Sequence, residues 1–202
     1  MGSATALDPY ERALRAYWAP RLDLDRWWPG RSRWEVIVGA ILVQNTAWTN
    51  VAKAIATLRA ARRLSRARLG GLTEAELGAL IRSSGFWRQK SRCLRGFALW
   101  LSNAHRGSLR RLFAQPTFEV RRQLLALPGI GPETADAILL FAGGHPSFIL
   151  DNYTRRIFQR HRLPAERAWI EAALPPASGA RAEPAWRGSS RARAGALGPA
   201  PT

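Results

Sequence analysis

Along most of this chain, apolar residues recur at the spacing of α-helices, and no stretch shows the alternation of a strand. From Glu35 to Gln44 the chain is apolar nearly all round, with Val36, Ile37, Val38, Ala40, Ile41, Leu42 and Val43. That pattern predicts a helix buried at the centre of a fold. Amphipathic stretches at 7–18, Asn50–Ala61, Thr73–Ser83 and Gln89–Ser102 predict further helices. The first carries Tyr10, Leu14 and Tyr17 on one face. The last turns Leu94, Phe97, Ala98 and Leu101 inward and leaves Arg88, Lys90 and Arg92 to solvent. Thr73 followed by Glu74 and Glu76 reads as an N-cap with acids in the first turn, and Gly85 as the residue just past a helix end. Gly107–Thr117 reads as a loop with a short helical turn. The expected fold class is all-α.

Phe118–Leu125 leads into Leu127-Pro128-Gly129-Ile130-Gly131-Pro132-Glu133-Thr134-Ala135-Asp136. Gly129 and Gly131 are each able to take positive φ. Pro132 suits the first helical turn, where its missing N–H costs nothing, and the macrodipole favours Glu133 there. Ala135, Ile138, Leu139 and Ala142 then mark one buried helical face. A tight turn at a helix N-terminus points backbone N–H groups outward and makes an anion site. An ordinary αα-hairpin turn is the plain alternative. A dinucleotide fingerprint fits less well, since no β-run precedes the glycines and the third glycine is missing. Beyond Gly143-Gly144-His145-Pro146, the apolar Phe148-Ile149-Leu150 leads to Asp151. Asp151 is either a helix N-cap or a carboxylate aimed at whatever the hairpin holds. Asp136 is expected on the helix surface or in a salt bridge.

Composition narrows the partner. The 202 residues suffice for one domain or two small ones. With 31 Lys+Arg against 14 Asp+Glu, the formal net charge is +17, which favours a polyanion. The basic residues are nearly all arginine, as a GC-rich genome would also produce, so charge alone chooses no chemistry. One cysteine, Cys93, excludes an internal disulfide and a four-cysteine metal or iron–sulfur site; it reads as a small apolar filler. No apolar run is long enough for a membrane span, and no signal peptide is visible. The expected location is therefore the cytoplasm. No metal or cofactor is expected, and a monomer is the default expectation, since the sequence carries no signal for oligomeric state.

Leu127–Asp136 together with Ile149–Arg156 resembles the helix-hairpin-helix and catalytic-aspartate segment of the endonuclease III superfamily of DNA glycosylases. The similarity reaches back to about Trp27, fades after about His161 and covers roughly two thirds of the chain. Trp27-Trp28-Pro29, Gln44-Asn45-Thr46-Ala47-Trp48 and Gly129-Ile130-Gly131-Pro132-Glu133 are most similar to the 3-methyladenine DNA glycosylase branch. Ile81 to Lys90 also resembles a superfamily segment, with Gly85 before two aromatic residues.

The resemblance implies a two-lobed helical fold and a base-excision-repair enzyme acting on alkylated purines in double-stranded DNA. Residues 32–145 would form the barrel, 1–31 and 146–163 the second lobe. By that match Asp151 stabilises an oxocarbenium-like sugar. The amides of Gly129, Gly131 and Glu133, with Thr134, hold phosphate. Gln44 fills the gap left by a flipped base, or is simply a C-cap amide. Trp27, Trp28, Pro29 and Trp48 wall the base pocket by stacking and cation–π attraction. The alternatives are that each tryptophan packs on a neighbouring element or in the core. Glu133 adds negative charge near the base or is only a first-turn acid. Bifunctional relatives carry a lysine just after the hairpin glycines. Here Pro132 and Glu133 stand there, and Lys53 and Lys90 are the only lysines, so a monofunctional, water-using enzyme is expected. Rival readings are an endonuclease III-like lyase on oxidised pyrimidines and a non-catalytic DNA-binding remnant. Residues 164–202, rich in Ala, Pro, Gly, Arg and Ser, predict disorder. They resemble a degenerate or frame-shifted end lacking the superfamily's last helices and its iron–sulfur loop.

Overall fold

The structure, a computed structural model, describes Arg12, Ala16 and residues 28–163. Arg12 and Ala16 are helical. The rest of the predicted 7–18 helix, Trp27 and the 164–202 tail lie outside the described residues. All regular structure among the described residues is helical, and no helix there is long and apolar enough to cross a membrane.

Helix α1, Arg33–Leu42, is the axis of the fold. Ser32 caps it, its hydroxyl accepting from the Glu35 N–H at 3.2 Å, and every residue from Trp34 to Leu42 is buried. Even Glu35 is buried, its carboxylate 2.7 Å from the Arg59 guanidinium. Packed on α1 are α2 (Trp48–Ala60) and α5 (Trp87–His105). Helix α2 begins two residues earlier than its periodicity suggests and buries Val51, Ala54, Ile55 and Leu58. Two short helices, α3 (Arg66–Gly70) and α4 (Glu74–Leu80), lie against α5. At the start of α4 the capping box forms: Thr73 Oγ1 accepts from the Glu76 N–H at 3.2 Å, and Glu76 Oε2 accepts from the Thr73 N–H at 2.8 Å. The stretch expected to stay helical through Ser83 tightens into a 3₁₀ turn at Arg82–Ser84. Gly85 follows at φ +66°, the left-handed residue its position predicted.

Helices α6 (Leu109–Leu112) and α7 (Thr117–Leu125) lead into the hairpin. Its second helix, α8 (Pro132–Ala137), widens into a π-helical turn at Ile138–Gly143, which packs on α1. Ala135, Ile138, Leu139 and Ala142 are all buried, as their spacing predicts. The turn closes at left-handed Gly144, with the His145 N–H on the Leu139 carbonyl at 3.0 Å and the Gly144 N–H on the Leu140 carbonyl at 3.3 Å. Then 144–151 runs without regular structure to α9 (Asn152–Arg160).

Two expectations change and one open alternative is settled. Gly131 does not take positive φ: it sits at φ −88°, ψ 176° as the N-cap of α8, while Gly129 alone of the pair turns left-handed at φ +87°. Of the two fates expected for Asp136, the salt bridge is the one realised. It is fully buried, in an ion pair with Arg121 Nε at 2.9 Å, and accepts from Ser147 Oγ at 2.9 Å. Lys90, expected in solvent beside Arg88 and Arg92, is buried, for a reason visible at the site.

Candidate nucleic-acid interface

The hairpin turn presents Pro128, Gly129, Gly131, Pro132 and Glu133 at the surface, while Ile130 is buried as its anchor. The Ile130 N–H is used by the Leu127 carbonyl at 3.1 Å, and the Ala135 N–H by the Gly131 carbonyl at 2.9 Å. Glu133 and Thr134 lie in the first turn of α8, where an α-helix supplies no carbonyl for backbone donors. The macrodipole adds partial positive charge at the same point. Thr134 itself is buried, and its hydroxyl accepts from Gln44 Nε2 at 3.0 Å. Gln44 Nε2 also donates to the Gly129 carbonyl at 3.0 Å. The side chain that leaves the end of α1 is thus latched onto the hairpin from 85 residues away.

Beside that latch runs an open groove of about 290 Å³, lined by Gln44, Asn45, Phe86, Gln89, Pro128 and Gly129 among others, with Lys90 and Cys93 also contributing. Cys93 fills space as expected. It packs under Gly129, and burial pushes its thiol up to about 11. Phe86 also lines the groove, although no site role for it is expected from the sequence. It is 62% exposed, at φ +44°, directly after left-handed Gly85. Two consecutive positive φ values hold an apolar ring out into water across the groove from Gln44, an arrangement that costs free energy unless the ring meets a partner. A glycine followed by two aromatic residues at a helix start was the available signal.

Trp28 and Trp48 come together. Their rings meet edge to face at 5.6 Å, Trp28 stacks on Phe141 at 4.9 Å, and both lie against Gly39 of α1, where a Cβ would approach Trp48 to 3.0 Å and Trp28 Nε1 to 3.3 Å. Both rings are only partly buried, yet the Trp28 indole N–H is buried without a hydrogen-bond partner among the described residues. Pro29 is exposed beside them. Phe141 is eight residues past Glu133, so this aromatic wall lies roughly 12 Å along the hairpin helix from it.

Asp151 caps α9, one carboxylate oxygen accepting from the Thr154 N–H at 2.7 Å. Asp151 is thus the N-cap of that helix. Asp151 stays partly exposed and lies near enough to Glu133 for the two charges to repel. Glu133 is exposed as a residue, yet its carboxyl loses enough water, and feels enough of the Asp151 charge, for its pKa to rise above the usual glutamate value. Burial lowers the pKa of Lys90. Its ammonium donates to the carbonyls of Leu42 at 2.9 Å and Ser84 at 2.5 Å, which explains why it left the solvent.

A glycine turn at a helix N-terminus, two side chains flanking a groove, an aromatic wall and a carboxylate pair on one helical scaffold define a helix-hairpin-helix class. Residues 38–173 match the HhH-GPD superfamily of base excision DNA repair proteins, and the chain belongs to that family. A DNA repair glycosylase candidate of Methanocaldococcus jannaschii is 38% identical over 144 residues, 70% of this chain and 65% of that protein. The endonuclease III-like protein 1 of Bos taurus is 31% identical over 135 residues, 66% of this chain and 41% of its own length. The chain thus matches less than two thirds of either relative. Among solved structures, the H. pylori 3-methyladenine DNA glycosylase bound to 1,N6-ethenoadenine superposes with a TM-score of 0.68 at 26% identity, over 82% of this chain and 77% of that one. A non-covalent endonuclease III–DNA complex shares the fold, with a TM-score of 0.65 at 20% identity over 94% and 82%.

Proposed function

We propose that this chain is a monofunctional DNA glycosylase that hydrolyses the N-glycosidic bond of alkylated purines turned out of double-stranded DNA. The observation that supports the reading is that Glu133, in the first turn of the hairpin's second helix, feels the charge of Asp151, the N-cap of α9. In this reading the backbone amides of Gly129, Gly131, Glu133 and Thr134 grip phosphate without reading sequence, as a lesion scanner requires. Gln44 leaves its latch on Gly129 and Thr134 to fill the gap in the stack, and Phe86 enters from the other side of the groove. The displaced base lodges against Trp28, Trp48 and Pro29, with Trp27 adjacent in sequence. A purine made cationic by alkylation is held there by ring faces.

Asp151, ionised, stabilises positive charge as it develops on the sugar and orients the attacking water. The glycosidic carbon loses the base with its bonding electrons and gains the water oxygen, and the water's spare proton leaves to solvent or a carboxylate. The raised pKa of Glu133 suits it to hold such a proton transiently. This route calls for no cofactor. An amine nucleophile is poorly supplied: Lys90 is buried with two carbonyl partners, and Lys53 is exposed along α2.

The test is incubation with duplex DNA carrying methylated purines, chromatography of the released bases, and borohydride treatment in parallel. Free methylated purine without a trapped protein–DNA adduct is the expected result. A trapped adduct would make the enzyme a lyase, and DNA binding without any released base would make it a non-catalytic binder.

A further inference from the structure

We propose that Lys90 is a positioning residue that couples the Gln44 loop to the Phe86 loop, so that the two enter a duplex as one unit; this rests on the duplex-opening roles given to those loops above. The side chain of Lys90 is 3% exposed. One of its carbonyl partners, Leu42, is the last residue of α1; the other, Ser84, is the last residue of the 3₁₀ turn. Each carbonyl precedes its duplex-facing residue by two positions, Leu42 before Gln44 and Ser84 before Phe86. A single ammonium therefore ties the roots of both loops to one point.

The backbone of Lys90 adds a third tie, its N–H donating to the Phe86 carbonyl at 3.1 Å. The Ser84 hydroxyl donates to the Ile81 carbonyl at 2.7 Å and braces the same turn. An ammonium carries protons only and is a compact charge, so its position is set by the acceptors around it. Those acceptors here are carbonyls at element ends, where the Leu42 oxygen has no intrahelical donor and the C-terminal dipole of α1 favours a cation. Burying that charge is unfavourable in an otherwise apolar interior, and an aliphatic side chain would fill the same space. What an aliphatic side chain would lack is the bridge between the two loops.

The experiment uses the full chain and single-turnover excision of one methylated base in two duplexes. In the first the lesion is paired; in the second it faces an abasic site, so no pair is broken and no partner base is left to support. Lys90→Met keeps length and apolar volume without the charge, and Lys90→Arg keeps the charge. The expected result for Lys90→Met is a loss of roughly 10-fold or more on the paired lesion, with the unpaired lesion within about twofold of wild type, and partial rescue in Lys90→Arg. In addition, the penalties of Gln44→Ala and Phe86→Ala should combine non-multiplicatively in wild type and multiplicatively in the Lys90→Met background. Equal losses on both duplexes, or no loss at all, overturn the proposal. If Lys90→Met does not fold, the Gln44/Phe86 cycle in the wild-type background decides alone, and multiplicative penalties there overturn it. If the wild type releases no base, the functional reading fails separately. Duplex opening followed by 2-aminopurine fluorescence then decides the coupling: the proposal stands if Lys90→Met loses the opening signal and falls if it keeps it.

Discussion

Replacing Gly129 with alanine probes the hairpin at the residue held at φ +87°. An L-residue there carries a torsional cost of roughly 1–2 kcal/mol. The new methyl would also stand 3.0 Å from Cys93 Cβ and 3.1 Å from its Sγ. Cys93 is buried in α5, so it gives way only by moving a packed helix. Overpacking of this kind costs about 1–3 kcal/mol. The sum, roughly 2–5 kcal/mol, corresponds for a chain of this length to a melting temperature lower by about 4–20 °C. Gly131→Ala is the control. At φ −88° with nothing within 4 Å of an added Cβ, it should stay within about 0.5 kcal/mol of wild type. There the stiffer unfolded chain offsets the poorer N-cap. Adding Cys93→Ala to Gly129→Ala removes the Sγ contact but keeps the Cβ one, so it should recover part of the steric share and none of the torsional one, a coupling that a double-mutant cycle isolates. Thermal melts by circular dichroism provide these values, and anisotropy titrations on undamaged duplex report the clasp. Gly129→Ala should weaken that binding, because its strained turn no longer aims the amides. Equal melting of the two alanine variants, or no recovery from Cys93→Ala, would refute the reasoning.

Two further predictions follow from the carboxylates. Asp136→Ala leaves Arg121, itself only 25% exposed in its side chain, and Ser147 without their shared acceptor. Denaturant unfolding should show a loss of about 3 kcal/mol, and base release should slow because Ser147 lies four residues before Asp151. Glu133 has its folded pKa above the ordinary 4.5, from burial and then from Asp151. Between 4.5 and that higher value the folded protein binds more protons than the unfolded chain, so the stability linked to Glu133 is lost as pH rises through the window. The melting temperature of wild type relative to Glu133→Gln should therefore fall as pH climbs past 4.5 and level off above it. Parallel curves for the two proteins would contradict the assignment.

Local patterns in this sequence predicted local structure well. The all-round apolar run of α1, the capping box at Thr73, the inward face of α5 and the glycine after Ser84 each depend on neighbours within a turn or two, and each folds as its pattern predicts. Errors arose where distant elements decide the outcome. Lys90 reads as one more helix-surface cation until α1 and the 82–84 turn place carbonyls around it. For Asp136 the salt bridge was one of two open alternatives, but its partners Arg121 and Ser147 come from outside its own turn and nothing there signals them. Gly131 looked equivalent to Gly129, yet only Gly129 lies over Cys93 and turns left-handed. At the candidate site, the hairpin, Asp151 and the tryptophans were legible as motifs. The Gln44 latch, the exposed Phe86 ring and the charge coupling of Glu133 to Asp151 were not, because each is a relation between segments that only folding brings together.

The central claim is that the hairpin delivers a nucleotide to the carboxylate of Asp151, and Asp151→Asn tests it most directly. Asparagine caps helices about as well as aspartate, so the bond to the Thr154 N–H and the melting temperature should survive while the negative charge is lost. Single-turnover release of methylated purine should fall at least about 100-fold, with affinity for the lesion-bearing duplex unchanged within a few-fold. Release by Asp151→Asn at a rate near that of wild type would contradict the account.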